Sequence, residues 1–360
     1  MGGREREPRT NCIWHRVGVS AGKNWRLPST ALVPAHMVSN DVLRSALAHT
    51  LHASHFVALG ARYEGKVRDC YMRSGKRLIV VTDRVSAFDR VLGTIPFKGQ
   101  VLNQLAYWWF SKTADVVPNH VLSLPDPNVM ECIECEPFAA EFVVRAYATG
   151  TTSTSLWTHY EKGSRVFCGH TLPEGLTKHQ ALPSPIVTPA TKAPAGAHDE
   201  SVSGEELVAR GHMSRADFDA VSSLSLKLFA RGAALAAERG LMLVDTKYEF
   251  GRRADGTIVV IDEVHTPDSS RYWDAASYVA RIAGGQDPEA LDKDYIRRYF
   301  LGLGYQGDGP VPAMTDDVRI EAARRYITAY ERITGSSFEP NQQEPLSRIA
   351  RALQRQEGAS

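Results

Sequence analysis

Asp245, Lys247 and Glu249 lie two residues apart in Leu243-Val-Asp-Thr-Lys-Tyr-Glu-Phe-Gly251, and Asp262 closes the next apolar run, Ile258-Val-Val-Ile-Asp262-Glu-Val264. In a strand, residues two apart share a face. The three charges therefore line one side, and Val244, Thr246, Tyr248 and Phe250 line the other. Asp255-Gly256, between the runs, is the strongest two-residue hairpin signal. With that pair at the centre of the turn, Ala254 pairs with Thr257 and Glu249 stands directly opposite Asp262. Carboxylates so placed have Cβ atoms roughly 4.5–5.5 Å apart, and at an effective dielectric of about 20 they repel by about 3 kcal/mol. A cross-strand pair contributes only about 0.2–1 kcal/mol, so the register calls for a cation. Lys247 meets part of that need, and Mg²⁺ held by two carboxylates and phosphate oxygens meets the rest. On spacing alone the alternative is a partly solvated acidic face with one carboxyl protonated.

Gly65-Lys66-Val-Arg68 offers an open glycine turn and two cations that could follow a polyphosphate. Other motifs fail on context. Gly302-Leu-Gly304-Tyr-Gln-Gly307 matches the dinucleotide fingerprint by letters but follows a helical stretch. Cys132-Ile-Glu-Cys135 lacks a second pair to complete a zinc site. No Walker A sequence and no Gly-x-Ser-x-Gly elbow occurs.

The elements that must position these residues follow from pattern. Ser39–His52 reads as helical. Strand patterns run from Phe56 to Val81, with a Ser74-Gly75 turn, and Glu141–Tyr147 is another strand. Gln100–Phe110 has helical spacing, and residues 163–203, rich in Pro, Gly and Thr, read as loop with short elements. Ser214–Gly240 is the clearest helix, capped by Ser214 with Asp217 and ended by Gly240. Strands Leu241–Phe250 and Thr257–Val264 follow, then helices Asp274–Ile282, Asp292–Leu301 and Asp316–Ile333. This order is not βαβα alternation. It predicts an α+β protein with antiparallel sheets, C-terminal helices and two lobes around a cleft.

The chain has 360 residues, with 42 Lys+Arg against 41 Asp+Glu. That balance argues against a nucleic-acid or membrane-surface partner, and no apolar run reaches the roughly 20 residues of a bilayer span. Five scattered cysteines point to a reducing, cytoplasmic compartment rather than a disulfide framework. Residues 1–36 carry six Lys or Arg against Glu5 and Glu7 without periodicity. They read as a disordered extension, or as a start assigned upstream of Met37. The expected divisions are then 37–140 as a nucleotide-binding lobe, 141–340 as a substrate and metal lobe, and 341–360 as a tail. The sequence sets no oligomeric state.

Taken together, Gly65-Lys-Val-Arg68, Val85-Ser-Ala-Phe-Asp89, Ile95-Pro-Phe-Lys-Gly99, Val143-Val-Arg-Ala-Tyr-Ala-Thr-Gly150, Thr188-Pro-Ala-Thr-Lys192, His198-Asp-Glu200, Asp245-Thr-Lys-Tyr-Glu-Phe-Gly251 and Asp262-Glu-Val-His-Thr-Pro-Asp-Ser-Ser-Arg271 resemble the SAICAR synthetase (phosphoribosylaminoimidazole-succinocarboxamide synthase) family. The motifs occur in the family's order and cover roughly residues 56 to 335. The resemblance implies a two-lobed fold related to kinase and ATP-grasp architecture. It also implies a Mg²⁺-dependent ligation in which ATP, L-aspartate and carboxyaminoimidazole ribonucleotide (CAIR) give SAICAR, ADP and phosphate through an acyl phosphate.

By that resemblance Lys66, Arg68 and Lys192 meet the ATP phosphates, and Glu249 and Asp262 hold Mg²⁺. Lys247 and Asp245 act at the carboxylate being activated, with Asp245 binding a second metal or the ring amine. Arg145 and Arg271 take the CAIR phosphate. Many members have Ser directly after the glycine corresponding to Gly150, whereas this chain has Thr151 and a longer loop. That leaves Thr151, Thr152 and Ser153 as alternatives for the hydroxyl contact. Ser86, Asp89, Lys98, His198 and Asp199 are candidates for the aspartate site. A small-molecule kinase and a catalytically silent nucleotide-binding protein are the competing readings. A kinase would need no second, amine substrate, and a silent protein would have no need of Lys66, Glu249 and Asp262.

Overall fold

The computed structural model describes residues 38–192, 199–291 and 293–357, so the segment 1–36 and His198 lie outside the described residues. Ser39 caps α1 (Asn40–Ala46) by accepting the Val42 N–H, and a single 3₁₀ turn, Leu47–His49, completes the expected first helix. The next strands are β1 (Arg62–Glu64), β2 (Arg68–Arg73) and β3 (Lys76–Val81). Ser74 and Gly75 turn β2 into β3 at φ 53° and 73°, the left-handed pair that a two-residue hairpin requires. A separate hairpin, β4 (Arg84–Ala87) and β5 (Arg90–Thr94), leads into α2 (Lys98–Thr113). Strands β6 (Val121–Asp126) and β7 (Val129–Ile133) complete an antiparallel sheet of order β1-β2-β3-β7-β6.

The second sheet starts at β8 (Glu136–Tyr147), so the position 140/141 falls within a strand. After α3 (Leu156–Glu161) and the short pair β9 (Val166–Phe167) and β10 (His170–Thr171) comes β11 (Ala181–Thr191). This long strand lies where loop with short elements was expected. Pro183, Pro185 and Pro189 obscure it in sequence, yet proline is compatible with its place at the sheet edge. Helices α4 (Gly204–Ala209) and α5 (Arg215–Ala237) precede β12 (Leu241–Arg252) and β13 (Ile258–Ile261). β14 (Ser270–Asp274) completes the sheet. Its order is β11-β8-β12, with β13 and β14 sharing the far edge of β12.

By length and composition α5 could cross a bilayer. Here it packs on β12, β8 and β11, with Val221, Leu228 and Phe229 buried. Helices α6 (Ala275–Ala283), α7 (Asp294–Gly302) and α8 (Asp316–Thr334) match the expected C-terminal helices.

The expected tail is instead α9 (Pro345–Glu357). Its Ile349 and Leu353 join Leu51, Tyr71, Val80 and Val129 in a core on the first sheet. Arg348 anchors it through Asp126 at 2.9 and 3.1 Å. A larger core runs continuously from Ile79 and Trp109 to Phe142, Tyr248 and Tyr326, tying both sheets into one body.

The β12–β13 hairpin departs from the expected register by one residue. Arg252 pairs with Ile258, and Glu249 pairs with Ile261 rather than Asp262. Arg253 N–H donates to Thr257 O and Gly256 N–H to Arg253 O, both at 2.9 Å. The connection is therefore a three-residue loop, Ala254-Asp255-Gly256, with Gly256 left-handed at φ 89°. That is the next most common hairpin solution, and the Asp-Gly pair is compatible with both.

Candidate active site

The alternation along β12 is as expected. Tyr248 and Phe250 are fully buried, while Asp245, Lys247 and Glu249 share the opposite face. Across the sheet, β8 sets Arg145 opposite Asp245, Val143 opposite Lys247 and Glu141 opposite Glu249. The carboxylate facing Glu249 is therefore Glu141, not Asp262. Lys247 Nζ lies 2.7 Å from Glu141 Oε1 and 2.7 Å from Glu249 Oε1. Lys192, at the end of β11, pairs with the other Glu249 oxygen. Burial acts to raise the Glu249 pKa, but Lys247 and Lys192 together outweigh it and hold the carboxyl well below the usual range. For Glu141 burial wins over Lys247, and the Glu249 charge adds to it, so its pKa is raised.

Asp262 directly follows β13 with φ 68°, and its left-handed backbone breaks the strand's alternation. As a result two consecutive acids reach one guanidinium. Arg68 Nη1 is 2.6 Å from Asp262 Oδ1, and Nη2 is 2.9 Å from Glu263 Oε2. Burial pushes the Asp262 pKa up to about 6; Arg68 works against this, and Glu249 and Glu263 reinforce it. Glu249 and Asp262 thus feel each other's charge without being a cross-strand pair.

Arg68 belongs to the glycine turn, which is closed by Gly65 N–H donating to Arg68 O at 2.8 Å. Arg84, 1% exposed, holds that turn from beneath by donating to Gly65 O at 2.9 Å and Lys66 O at 3.0 Å. Lys66 itself is exposed and paired with Asp89 at 2.5 Å.

At the other end of the face, Asp245 is ion-paired with Arg271 and lies 3.8 Å from Arg145 Nη1. Arg145 also donates to Thr188 Oγ1 at 2.9 Å and to Thr154 O at 3.0 Å. In the neighbouring loop the Thr152 hydroxyl bonds to Ser155 Oγ at 2.8 Å. Thr151 and Ser153 are exposed, and no hydrogen bond from either hydroxyl to another described residue is found.

The described aspartate-site candidates lie on different elements. Ser86 lies in β4 opposite Val91 of β5, and Asp89 sits in the β4–β5 turn at φ 58°. Lys98 is 0% exposed, with Nζ 2.8 Å from Asp268 Oδ2 and 5.3 Å from the Tyr326 ring centroid. A lysine enclosed in this way ties α2 to α8 and the segment after β13. Asp199 is close enough to Glu141 to help raise its pKa.

Sequence reasoning missed Arg84, Glu263 and Asp268 as supports of the site, and it gave the Glu141 side chain no role of its own. Two signals could have found them. Glu141 lies four residues before Arg145, on the same strand face, and Glu263 and Asp268 belong to the run that holds Asp262 and Arg271.

Glu141, Glu249, Asp262 and Glu263 face Lys192, Lys247 and Arg68, so carboxylates outnumber cations within this group. A polyphosphate would be repelled by such a face unless a cation came with it. Oxygen-only donors suit a hard divalent ion. Among the described residues no three His, Cys, Asp or Glu side chains converge as a metal-binding group.

The SAICAR synthetase family model matches residues 61–312. A phosphoribosylaminoimidazole-succinocarboxamide synthase of Legionella pneumophila is 50% identical over 280 residues, which is 78% of this chain and 89% of that protein. The structure of the Saccharomyces cerevisiae SAICAR synthase complexed with SAICAR superposes with a TM-score of 0.70 at 30% identity, covering 81% of this chain and all of the yeast one. A SAICAR synthetase in complex with ADP gives 0.59 at 26% identity, covering 78% of this chain and all of that one. With the family model matching more than half of the chain and a relative half identical over most of both proteins, this chain belongs to the SAICAR synthetase (phosphoribosylaminoimidazole-succinocarboxamide synthase) family.

Proposed function

We propose that this chain joins L-aspartate to the carboxylate of CAIR with ATP as co-substrate, giving SAICAR, ADP and phosphate in purine synthesis. The observation that carries the reading is the Lys247 ammonium fixed between Glu141 and Glu249. Arg145 and Arg271 flank one end of that face, and Lys192 and Arg68 flank the other. Two phosphorylated substrates can then meet over one half-buried cation. The yeast complex with SAICAR and the ADP complex of a second relative support the choice of ligands.

Arg145 and Arg271 bind the CAIR phosphate as planar forks, and Thr151 or Ser153 adds a hydroxyl. Lys66, Arg68 and Lys192 follow the ATP phosphates. A CAIR carboxylate oxygen attacks the γ-phosphorus, the bond to ADP breaks, and an acyl phosphate forms. Lys247 neutralises charge on the carboxylate oxygens through both steps, and Asp245 fixes Arg271. The aspartate amine then attacks the acyl carbon, the bond from that carbon to the phosphate oxygen breaks, and the amine's proton ends on the departing phosphate. Mg²⁺, which Glu249 and Asp262 would hold, supplies neutralisation of the phosphate charge. Positioning and charge neutralisation dominate in such transfers. The scattered cysteines, of which Cys70, Cys132, Cys135 and Cys168 are free thiols, support a cytoplasmic setting.

An ADP-release assay with ATP, CAIR and aspartate omitted in turn tests the reaction. Release should require all three. Full release without aspartate would instead favour a kinase. CAIR labelled with heavy oxygen in its carboxylate should pass one labelled atom to the released phosphate, and unlabelled phosphate would refute the acyl phosphate.

A further inference from the structure

The bifurcated grip on Arg68 has a consequence for the metal. Arg68 is 14% exposed at its side chain and divides its fork between two neighbouring acids, with Nη1 on Asp262 at 2.6 Å and Nη2 on Glu263 at 2.9 Å. Glu263 is fixed from behind. Its side chain is 8% exposed, and its Oε2 also accepts the Thr266 hydroxyl. Thr266 O in turn accepts the Ser270 N–H at 2.8 Å, which ties Glu263 to the start of β14. Among the described residues Asp262 has no comparable tether. Its side chain is 23% exposed, and it bonds Arg68 through Oδ1.

The two acids therefore differ in freedom. Asp262 can turn toward an arriving cation, while Glu263 stays where it is. A buried guanidinium that lost its only carboxylate would be an uncompensated charge, and it would oppose the release of Asp262.

We propose that Glu263 is a positioning residue: it keeps Arg68 neutralised and in place over the phosphates when Asp262 leaves Arg68 for the metal. The inference rests on the metal assignment made above and extends it. Without Glu263, Asp262 becomes the sole partner of Arg68, and the metal must compete with the guanidinium for it. With Glu263 present, the exchange of partners at Asp262 leaves no buried charge bare.

The test is calorimetric and needs no turnover. Mg²⁺ is titrated into ADP-saturated protein, and ADP binding is measured separately in excess EDTA, for wild type, Glu263→Gln and the charge-balanced pair Arg68→Met/Glu263→Gln. Glu263→Gln should raise half-saturating Mg²⁺ on the order of tenfold, as expected for a charge pair left unshared. Its metal-free ADP affinity should stay within about twofold of wild type. The paired variant, in which nothing holds Asp262 back, should bring half-saturating Mg²⁺ back to the wild-type range or below. An unchanged Mg²⁺ titration in Glu263→Gln would overturn the proposal, as would equal losses of ADP affinity with and without metal or failure of the paired variant to restore binding. A Glu249→Gln control separates the two levels. If it leaves Mg²⁺ binding untouched, the metal assignment itself fails; if it weakens Mg²⁺ binding while Glu263→Gln does not, only the role of Glu263 fails.

Discussion

Glu249 and Glu141 stand directly opposite each other on β12 and β8, and Lys247 Nζ lies 2.7 Å from an oxygen of each. Like charges in that position are destabilising. One lysine, on the same strand as Glu249 and two residues from it, converts the conflict into a bridge.

Lys247→Met should therefore cost more than activity. Two buried carboxylates about 5 Å apart repel by about 3 kcal/mol at an effective dielectric near 20, so urea unfolding should show a loss of that order. Adding Glu141→Gln should recover most of it without restoring turnover. If Lys247→Met proves as stable as wild type, the lysine does not bridge the pair.

Lys98 gives a contrasting expectation, because it is enclosed with Asp268 and Tyr326. Lys98→Met takes the ion-pair partner from buried Asp268, leaving only the charge of Lys293 acting on it among those that lowered its pKa, and should lower stability by up to about 3–5 kcal/mol. At a temperature where the variant is folded, its KM for aspartate should be unchanged. Normal stability with a raised KM for aspartate would return Lys98 to the substrate site.

The pH dependence of stability has a contributor at Asp83. Burial pushes its carboxyl up to about 6, even though it accepts the Gly99 and Leu51 N–H groups and has Lys98 and Arg348 nearby. The folded-state value lies above the unfolded one of about 3.9. The native state therefore holds an extra proton in that window, and the stabilisation from this group is full below about pH 4 and is lost as pH rises through about 6. Unfolding of wild type and Asp83→Asn at about pH 4.5 and about pH 6.5 isolates it. The wild-type advantage should shrink by about 2 kcal/mol from the lower to the higher pH, since each tenfold difference in proton affinity between folded and unfolded states is worth about 1.4 kcal/mol. A constant or growing advantage would contradict the assignment.

Local pattern was enough to read the face of β12, because a period of two fixes which side chains sit together whatever the pairing. Register was not legible to the same depth. Asp255-Gly256 suits a two-residue turn and a three-residue loop alike, and a shift of one residue moved the partner of Glu249 from Asp262 to Ile261. The closeness of Asp262 to the site survived because its left-handed backbone turns the side chain back, and alternation cannot anticipate that. The part of the Glu141 side chain was not legible because it depends on β8 lying beside β12, a pairing between segments far apart in the chain. The strand β11 was hidden by its prolines and α9 by its polar, tail-like composition. Lys98 was legible as a charged residue in a family motif, but its burial comes from packing against α8 and the segment after β13, which no local signal carries.

Most of the mechanism depends on the Glu249 carboxylate working at a magnesium-bound nucleotide on this face. Initial rates of ADP release against Mg²⁺ concentration, with saturating ATP, CAIR and aspartate, decide the matter when wild type and Glu249→Gln are compared. The substitution should lower the rate by about a hundredfold or more and shift the half-saturating Mg²⁺ concentration upward. Turnover at the wild-type rate with the wild-type Mg²⁺ dependence would show that Glu249 has no such role.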